Sequence, residues 1–267
     1  MRTPPPVRSK GAGGVRGPRQ ASPRALAIGG GIVALIVIAI VLGIVFSSGG
    51  GSSDPLKGLP AVGSASSPAA LPGAPEANAL FAGIPQKGLV LGNPSAPVEM
   101  EMFIDVQCPF CQRYEVDNLP TIVQKYIRPG KVQLHLEPWA FIGDQSFSGR
   151  LGLIAASFQN KGYQYAKVLY DNQATENTGW LDDRMMAQIG ASVNGLRMQQ
   201  WLSAKNGSGA QAIAKKVDQL ATKSNAQGTP TVLVGPTNGP LHNITSPTAV
   251  PTLAQTEHSL DAALAGH

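Results

Sequence analysis

Cysteine is almost missing from this chain. Only two occur in 267 residues, Cys108 and Cys111. A zinc site takes about four N, S or O ligands, so two cysteines cannot build one alone. The four histidines (His135, His242, His258, His267) form no ligand-spaced pair to complete it. Charge is sparse too, at 14% of residues, and no acid precedes Asp54. Six basic residues (Arg2, Arg8, Lys10, Arg16, Arg19, Arg24) crowd the first 24 positions, leaving 15 basic against 16 acidic residues elsewhere. The net charge of +5 therefore belongs to the tail, and the near-neutral remainder excludes a basic nucleic-acid groove. No Gly-rich phosphate loop or other cofactor signature is present.

The two cysteines stand three apart, as Cys108-Pro109-Phe110-Cys111. Such a pair can be half of a zinc site, a structural clip or a redox couple. The ligand shortfall weighs against zinc. A clip across so short a loop adds little, because in the entropic account disulfide stabilisation grows with loop length. Redox chemistry is the leading reading, and no cofactor beyond the Cys108-Cys111 disulfide itself is required.

Residues 1–24 are rich in Pro, Gly and Arg and have no hydrophobic periodicity, as in a disordered basic tail. Ala25 to Phe46 follows without a charge. As a helix this run would be about 33 Å long, enough to cross a bilayer core. A cleaved signal peptide has a shorter apolar core and a small-residue cleavage site; this run is longer, and only cleavage near Ser47 or Ser48 offers an alternative. Basic residues before the run and the first acid after it put the tail in the cytoplasm and the rest of the chain outside. The expected location is the cell membrane, single-pass, with an extracytoplasmic domain, where disulfides persist. Residues 47–83, rich in Gly, Ser, Pro and Ala, read as a flexible linker.

Residues 84–265 carry the folded domain. Gly88 to Leu91 reads as a short first strand, and Val98 to Val106 as a stronger one running into Cys108. Pro109 suits the first turn of a helix, where no N–H partner is needed. That helix continues to Tyr126, kinked at Pro120, and Lys131 to Leu136 is the next strand. Strand, helix and strand make a βαβ unit. A helical block fills about 144–225, with its aromatics (Phe147, Phe158, Tyr163, Tyr165, Tyr170, Trp180, Trp201) assigned to the core. Thr229 to Val234 is a strand, Leu241 to Ile244 a short edge strand, and Thr252 to Leu264 a closing helix.

The stretches GLVLGNPSAP (88–97), FIDVQCPFC (103–111) and QGTPTVLV (227–234) occur in an order and at separations that resemble the thioredoxin superfamily. More narrowly, they resemble membrane-anchored, DsbA-like thiol:disulfide oxidoreductases of bacteria. The resemblance implies an α/β thioredoxin-like fold with an inserted helical domain. It implies that Pro230, after Thr229, is cis and lies against the cysteine pair, where an extended substrate can align its backbone. It makes Cys108 the exposed nucleophile, its thiolate stabilised at the helix N-terminus, and Cys111 the more buried partner. Pro109, Phe110, Thr229 and Pro230 complete the expected motif and substrate-binding set. The implied partners are exported proteins with cysteine thiols and a quinone-linked membrane re-oxidase.

Two departures bear on the direction of electron flow. Phe110 stands where strong oxidases of the family often carry histidine, so no imidazole is available to the thiolate. Relatives often have a buried acid six residues before the first cysteine, and here that position is Met102. Glu101 is one residue off and points to the other face by strand alternation, leaving Glu101 or Asp105 as candidates for managing protons. The leading expectation is an oxidase. A reductase or isomerase of the same fold, or a non-catalytic thioredoxin-like binding module, are the alternatives.

Overall fold

The computed structural model describes residues 54–246 and 249–266. The basic tail, the apolar run Ala25 to Phe46 and the first linker residues lie outside them. Among the described residues, no helix is long and apolar enough to cross a membrane.

A six-stranded sheet of order β1-β2-β4-β3-β5-β6 organises the fold. Its centre is β3 (Val98–Ile104), parallel to β4 (Val132–Pro138) and antiparallel to β5 (Thr231–Pro236). Covered on both faces, β3 is buried nearly throughout, as a central strand is, although it carries Glu99 and Glu101 on one face. The short strands β1 (Gln86–Lys87), β2 (Val90–Leu91) and β6 (His242–Asn243) finish the two edges. The predicted strand at 88–91 is thus the second arm of a small hairpin. Gly88, with φ of 60°, turns that hairpin.

Helix α1 (Ala74–Leu80) precedes the sheet. From β3 the chain passes through Cys108 into α2 (Pro109–Asp117), breaks at Asn118, and resumes as α3 (Leu119–Ile122) and a π-turn over Val123–Ile127. The break falls where Pro120 can supply no N–H to the preceding turn. Five helices then form the insertion: α4 (Asp144–Ser157), α5 (Gly162–Asp171), α6 (Asp183–Ala191), α7 (Met198–Lys205) and α8 (Ser208–Lys223). Helix α9 (Leu253–Ala265) closes the chain, its first turn held by a capping box between Thr252 and Gln255.

Met100, Met102 and Ile104 face the main core with Cys111, Tyr114 and Leu136. Phe103, Leu233 and Ala221 of α8 fill a smaller core on the opposite face. In the insertion, Tyr165 stacks on Trp201 at 6.0 Å between ring centroids, and the indole N–H reaches the Gly152 carbonyl at 2.8 Å. Phe147 and Phe158, assigned to the core from sequence, instead stand about half exposed. Arg150 lies over the Phe147 ring, which keeps part of that ring's face covered by a cation.

The linker expected over 47–83 requires correction from residue 54 onward. Leu56, Ala74, Ala77 and Phe81 are buried. The backbone of Ala61 to Ser64 bonds to the insertion: Gly63 N–H to Leu196 O at 2.8 Å, Ser64 N–H to Ala191 O at 2.8 Å, and Met198 N–H to Ala61 O at 2.9 Å. Arg184 donates to the carbonyls of Pro55 and Lys57. Composition suggested flexibility, but here the small residues permit close approach. A Cβ on Gly63 would strike the Val193 and Gly190 carbonyl oxygens. Trypsin should therefore spare Lys57 in the wild-type domain. Gly63→Ala should open that site and lower the urea midpoint, and equal cleavage of both proteins would restore the flexible-linker reading.

Candidate active site

The site forms where β3 ends and β5 begins. Phe103 of β3 pairs with Thr231 of β5, so the chain leaving β3 runs beside the chain entering β5. Cys108 is the N-cap of α2, with extended backbone, and Pro109 occupies the first turn. The Thr229-Pro230 peptide bond is cis. The Cys108 thiol donates to the Thr229 carbonyl at 3.2 Å. Cys108, Pro109, Phe110, Cys111, Thr229 and Pro230 are thus brought together from segments 121 positions apart.

The two cysteines differ sharply in environment. The Cys111 thiol, hydrogen-bonded to Cys108, is the largest influence on the Cys108 thiol, which is pulled down to about 6 against the opposing effect of burial. The Thr229 side chain and the backbone N–H groups of Cys111 and Phe110 add to this stabilisation. Cys111 is fully buried, and burial pushes its thiol well above the ordinary value. The expectation of an exposed Cys108 needs correction, because only 4% of the residue is accessible. The cis-proline loop lies against its sulfur through the Thr229 carbonyl. The exposed member of the motif is Phe110, 51% accessible, with Arg113 stacked over its ring. A groove of about 750 Å³ opens beside Phe110, between α2 and the loop carrying Thr229 and Pro230, and is closed by Thr245 and Val250.

Glu101 lies on the sheet face away from Cys111, and Asp105, whose backbone hydrogen-bonds toward the Cys111 sulfur, has both carboxylate oxygens engaged elsewhere. Glu101 occupies the α8 face of the sheet, opposite Met102. Burial first, and then the nearby Glu99, push its carboxyl up to about 7. Glu137 shares that face and is likewise raised to about 8 by burial. Asp105 has another task. Its Oδ1 accepts from Gln107 N–H at 2.9 Å and Ser146 Oγ at 2.6 Å, and its Oδ2 accepts from the N–H groups of Phe141 and Ile142 at 2.9 and 3.1 Å. Its backbone carbonyl accepts from Cys108 N–H and from the Tyr170 hydroxyl. Asp105 therefore pins the loop before Cys108 to the insertion. Gln107 and Cys108 are local partners, but sequence reasoning had no means of finding Phe141, Ile142, Ser146 and Tyr170, which lie 36 to 65 positions away. It also passed over Glu115, which is buried one helical turn beyond Cys111.

Removing the Asp105 carboxylate would leave buried donors with no acceptor, at about 1–3 kcal/mol each. Asp105→Ala should lower unfolding free energy by at least about 3 kcal/mol in urea titration. A loss below about 1 kcal/mol would show that the clamp is dispensable.

The thioredoxin family model matches residues 85–244. The probable disulfide bond formation protein D of Bacillus cereus is 30% identical over 169 residues, covering 62% of this chain and 76% of that protein. Its Bacillus anthracis counterpart is 28% identical over the same length, with the same coverage. Among solved structures, oxidised BdbD from Bacillus subtilis superposes with a TM-score of 0.59 at 20% identity, covering 67% of this chain and 94% of that one. Wolbachia pipientis α-DsbA1 gives 0.57 at 18% identity, covering 71% and 96%. The sheet order, the cysteine pair against a cis-proline and these likenesses agree, and the chain belongs to the thioredoxin family, among its DsbA-like thiol:disulfide oxidoreductases.

Proposed function

We propose that this oxidoreductase works as an oxidase, introducing disulfides into exported proteins through Cys108 and Cys111. The observation that carries the reading is the stabilised Cys108 thiolate. A dithiol whose leaving thiolate is stabilised favours the reduced form, and this makes the matching disulfide an oxidant. Phe110 brings no imidazole, but the Cys111 thiol, the neighbouring Thr229 side chain and two backbone N–H groups supply stabilisation of the same sign. The names of the Bacillus relatives, which refer to disulfide bond formation, support the same direction.

The reaction runs in two exchanges. A substrate thiolate attacks the Cys108 sulfur and expels Cys111. A second substrate thiolate then attacks the substrate sulfur of the mixed disulfide and expels Cys108. Pro230 and Thr229 align the substrate backbone in the groove beside Phe110. The lowered Cys108 pKa keeps this leaving group ionised at neutral pH, which speeds the second exchange. The apolar run Ala25 to Phe46 and its basic flank support a membrane tether, with the domain outside the cytoplasm. Turnover there requires re-oxidation, for which a quinone-linked membrane partner is the proposed route. A reductase or isomerase is the second reading, favoured by the uncharged Phe110 between the cysteines.

Iodoacetamide trapping of the reduced protein should titrate Cys108 with a midpoint near the value of about 6 given by its surroundings. Thr229→Val should move that midpoint upward, and an unmoved midpoint would remove Thr229 from the account. The depressed pKa contributes stability to the reduced form that is complete above the ordinary thiol value of 9.0 and lost as pH falls through about 6. The reduced-minus-oxidised difference in urea stability should therefore shrink between pH 8 and pH 5. Cys108→Ala should abolish thiol oxidation, while Cys111→Ala should accumulate mixed disulfides with substrates. A reduction potential as negative as that of thioredoxin, about −270 mV, would sink the oxidase reading.

A further inference from the structure

The groove beside Phe110 carries two charges and neutralises neither. It runs along α2 from Phe110 to Asn118, with Thr229, Pro230, Thr245 and Val250 in its other wall. Its charged lining residues are Arg113 and Asp117, both exposed. They stand four apart on α2, a spacing at which opposite charges meet on a helix surface. Among the described residues, neither enters an ion pair.

Arg113 differs in this from the other described arginines. Arg128 donates to Gln124 and to two backbone carbonyls, Arg150 to Asp218, Arg184 to the carbonyls of Pro55 and Lys57, and Arg197 to Gln200. Arg113 has no hydrogen-bond acceptor among the described residues. Its guanidinium lies over the Phe110 ring instead, 5.8 Å from the centroid. A guanidinium held against an aromatic face keeps its fork of N–H donors available, and that fork matches a carboxylate with two parallel hydrogen bonds. Phe110 belongs to the cysteine motif and borders the groove, so the unused donors stand close to the path of the substrate.

We propose that Arg113 is a specificity-determining residue, selecting exported substrates that carry Asp or Glu about two residues from the attacking cysteine, with Asp117 adding a preference for Lys or Arg about four residues away. The spacing follows from the helix. Arg113 lies five positions beyond Cys108 and Asp117 nine. At the α-helical rise these separations are about 7.5 and about 13.5 Å along the axis. An extended strand, at about 3.3 Å per residue, covers them in about two and about four residues. A substrate lysine at the nearer place meets like charge and is disfavoured. This selection rests on the proposed path of the substrate beside Phe110, but not on the direction of electron flow.

The test uses short peptides with two cysteines and a Glu, Gln or Lys two residues from each. The charged residue stands N-terminal to both cysteines in one set and C-terminal to both in the other. The oxidised full chain is mixed with each reduced peptide. The second-order rate of Cys108–Cys111 reduction is divided by the thiolate fraction of the peptide, because the neighbouring charge also shifts that thiol. In one of the two sets Glu should outrun Lys by about fivefold at low salt, the upper end for an ion pair open to water. That ratio should approach one in about 1 M salt, where screening acts within about 3 Å. Arg113→Glu should reverse the order, and Arg113→Lys should keep the order with a smaller ratio. Equal rates for Glu and Lys in both sets overturn the inference, as does a preference for Glu that survives in Arg113→Glu. Should that variant not fold, a wild-type ratio indifferent to salt overturns it alone. If no peptide is oxidised, the oxidase reading fails instead. The same peptides, offered as disulfides to the reduced chain, then carry the test with the same ratio expected.

Discussion

The 3.2 Å contact between the Cys108 thiol and the Thr229 carbonyl is the constraint on which the rest of the site depends. It joins segments 121 positions apart, and neither segment holds the other in place unaided. What brings them together is the register of β3 against β5, with Phe103 opposite Thr231 and Glu101 opposite Leu233. A one-residue slip would turn Met100 and Met102 out of the main core and Glu101 into it. The apolar cost of that slip fixes the register, and the register fixes the site. Packing energy spent far below the surface thus becomes placement of the sulfur against the Thr229 carbonyl.

A second constraint makes two identical side chains chemically unlike. Cys108 caps the helix and receives N–H groups, while Cys111, one turn in, is fully buried in the main core. Desolvation acts on both, but hydrogen bonding opposes it at Cys108 and is outweighed at Cys111. The difference follows from three residues of helix geometry and from Pro109, which starts the helix where it does. Phe110 contributes shape and apolar surface to the groove, not charge. In a site without an imidazole, the protein relies on oriented dipoles.

Much of this was legible in the sequence because periodicity and turn chemistry act locally. The βαβ unit, the helix opening at Pro109, the helical insertion and the strand after Thr229-Pro230 could all be read from residues within one element of each other. Strand alternation alone put Glu101 on the face away from Met102, as the structure has it. The misses share a different cause. Residues 54–83 look like linker because their anchoring is done by backbone groups and by small side chains, which composition counts as flexibility. Asp105 looked like a possible proton carrier because three of its four donors come from residues distant in sequence and only the fold gathers them.

The segment that was mistaken for a linker also has a mechanical meaning. Pro55 and Lys57 are gripped by Arg184 of α6, and Ala61 to Gly63 are stitched to the residues between α6 and α7. A pull on the chain at residue 54 is therefore borne first by the helical insertion. The β3–β5 seam that positions the cysteine pair lies downstream of those attachments, so tension on that end would shear a strap of backbone hydrogen bonds well before it could misalign the sulfurs.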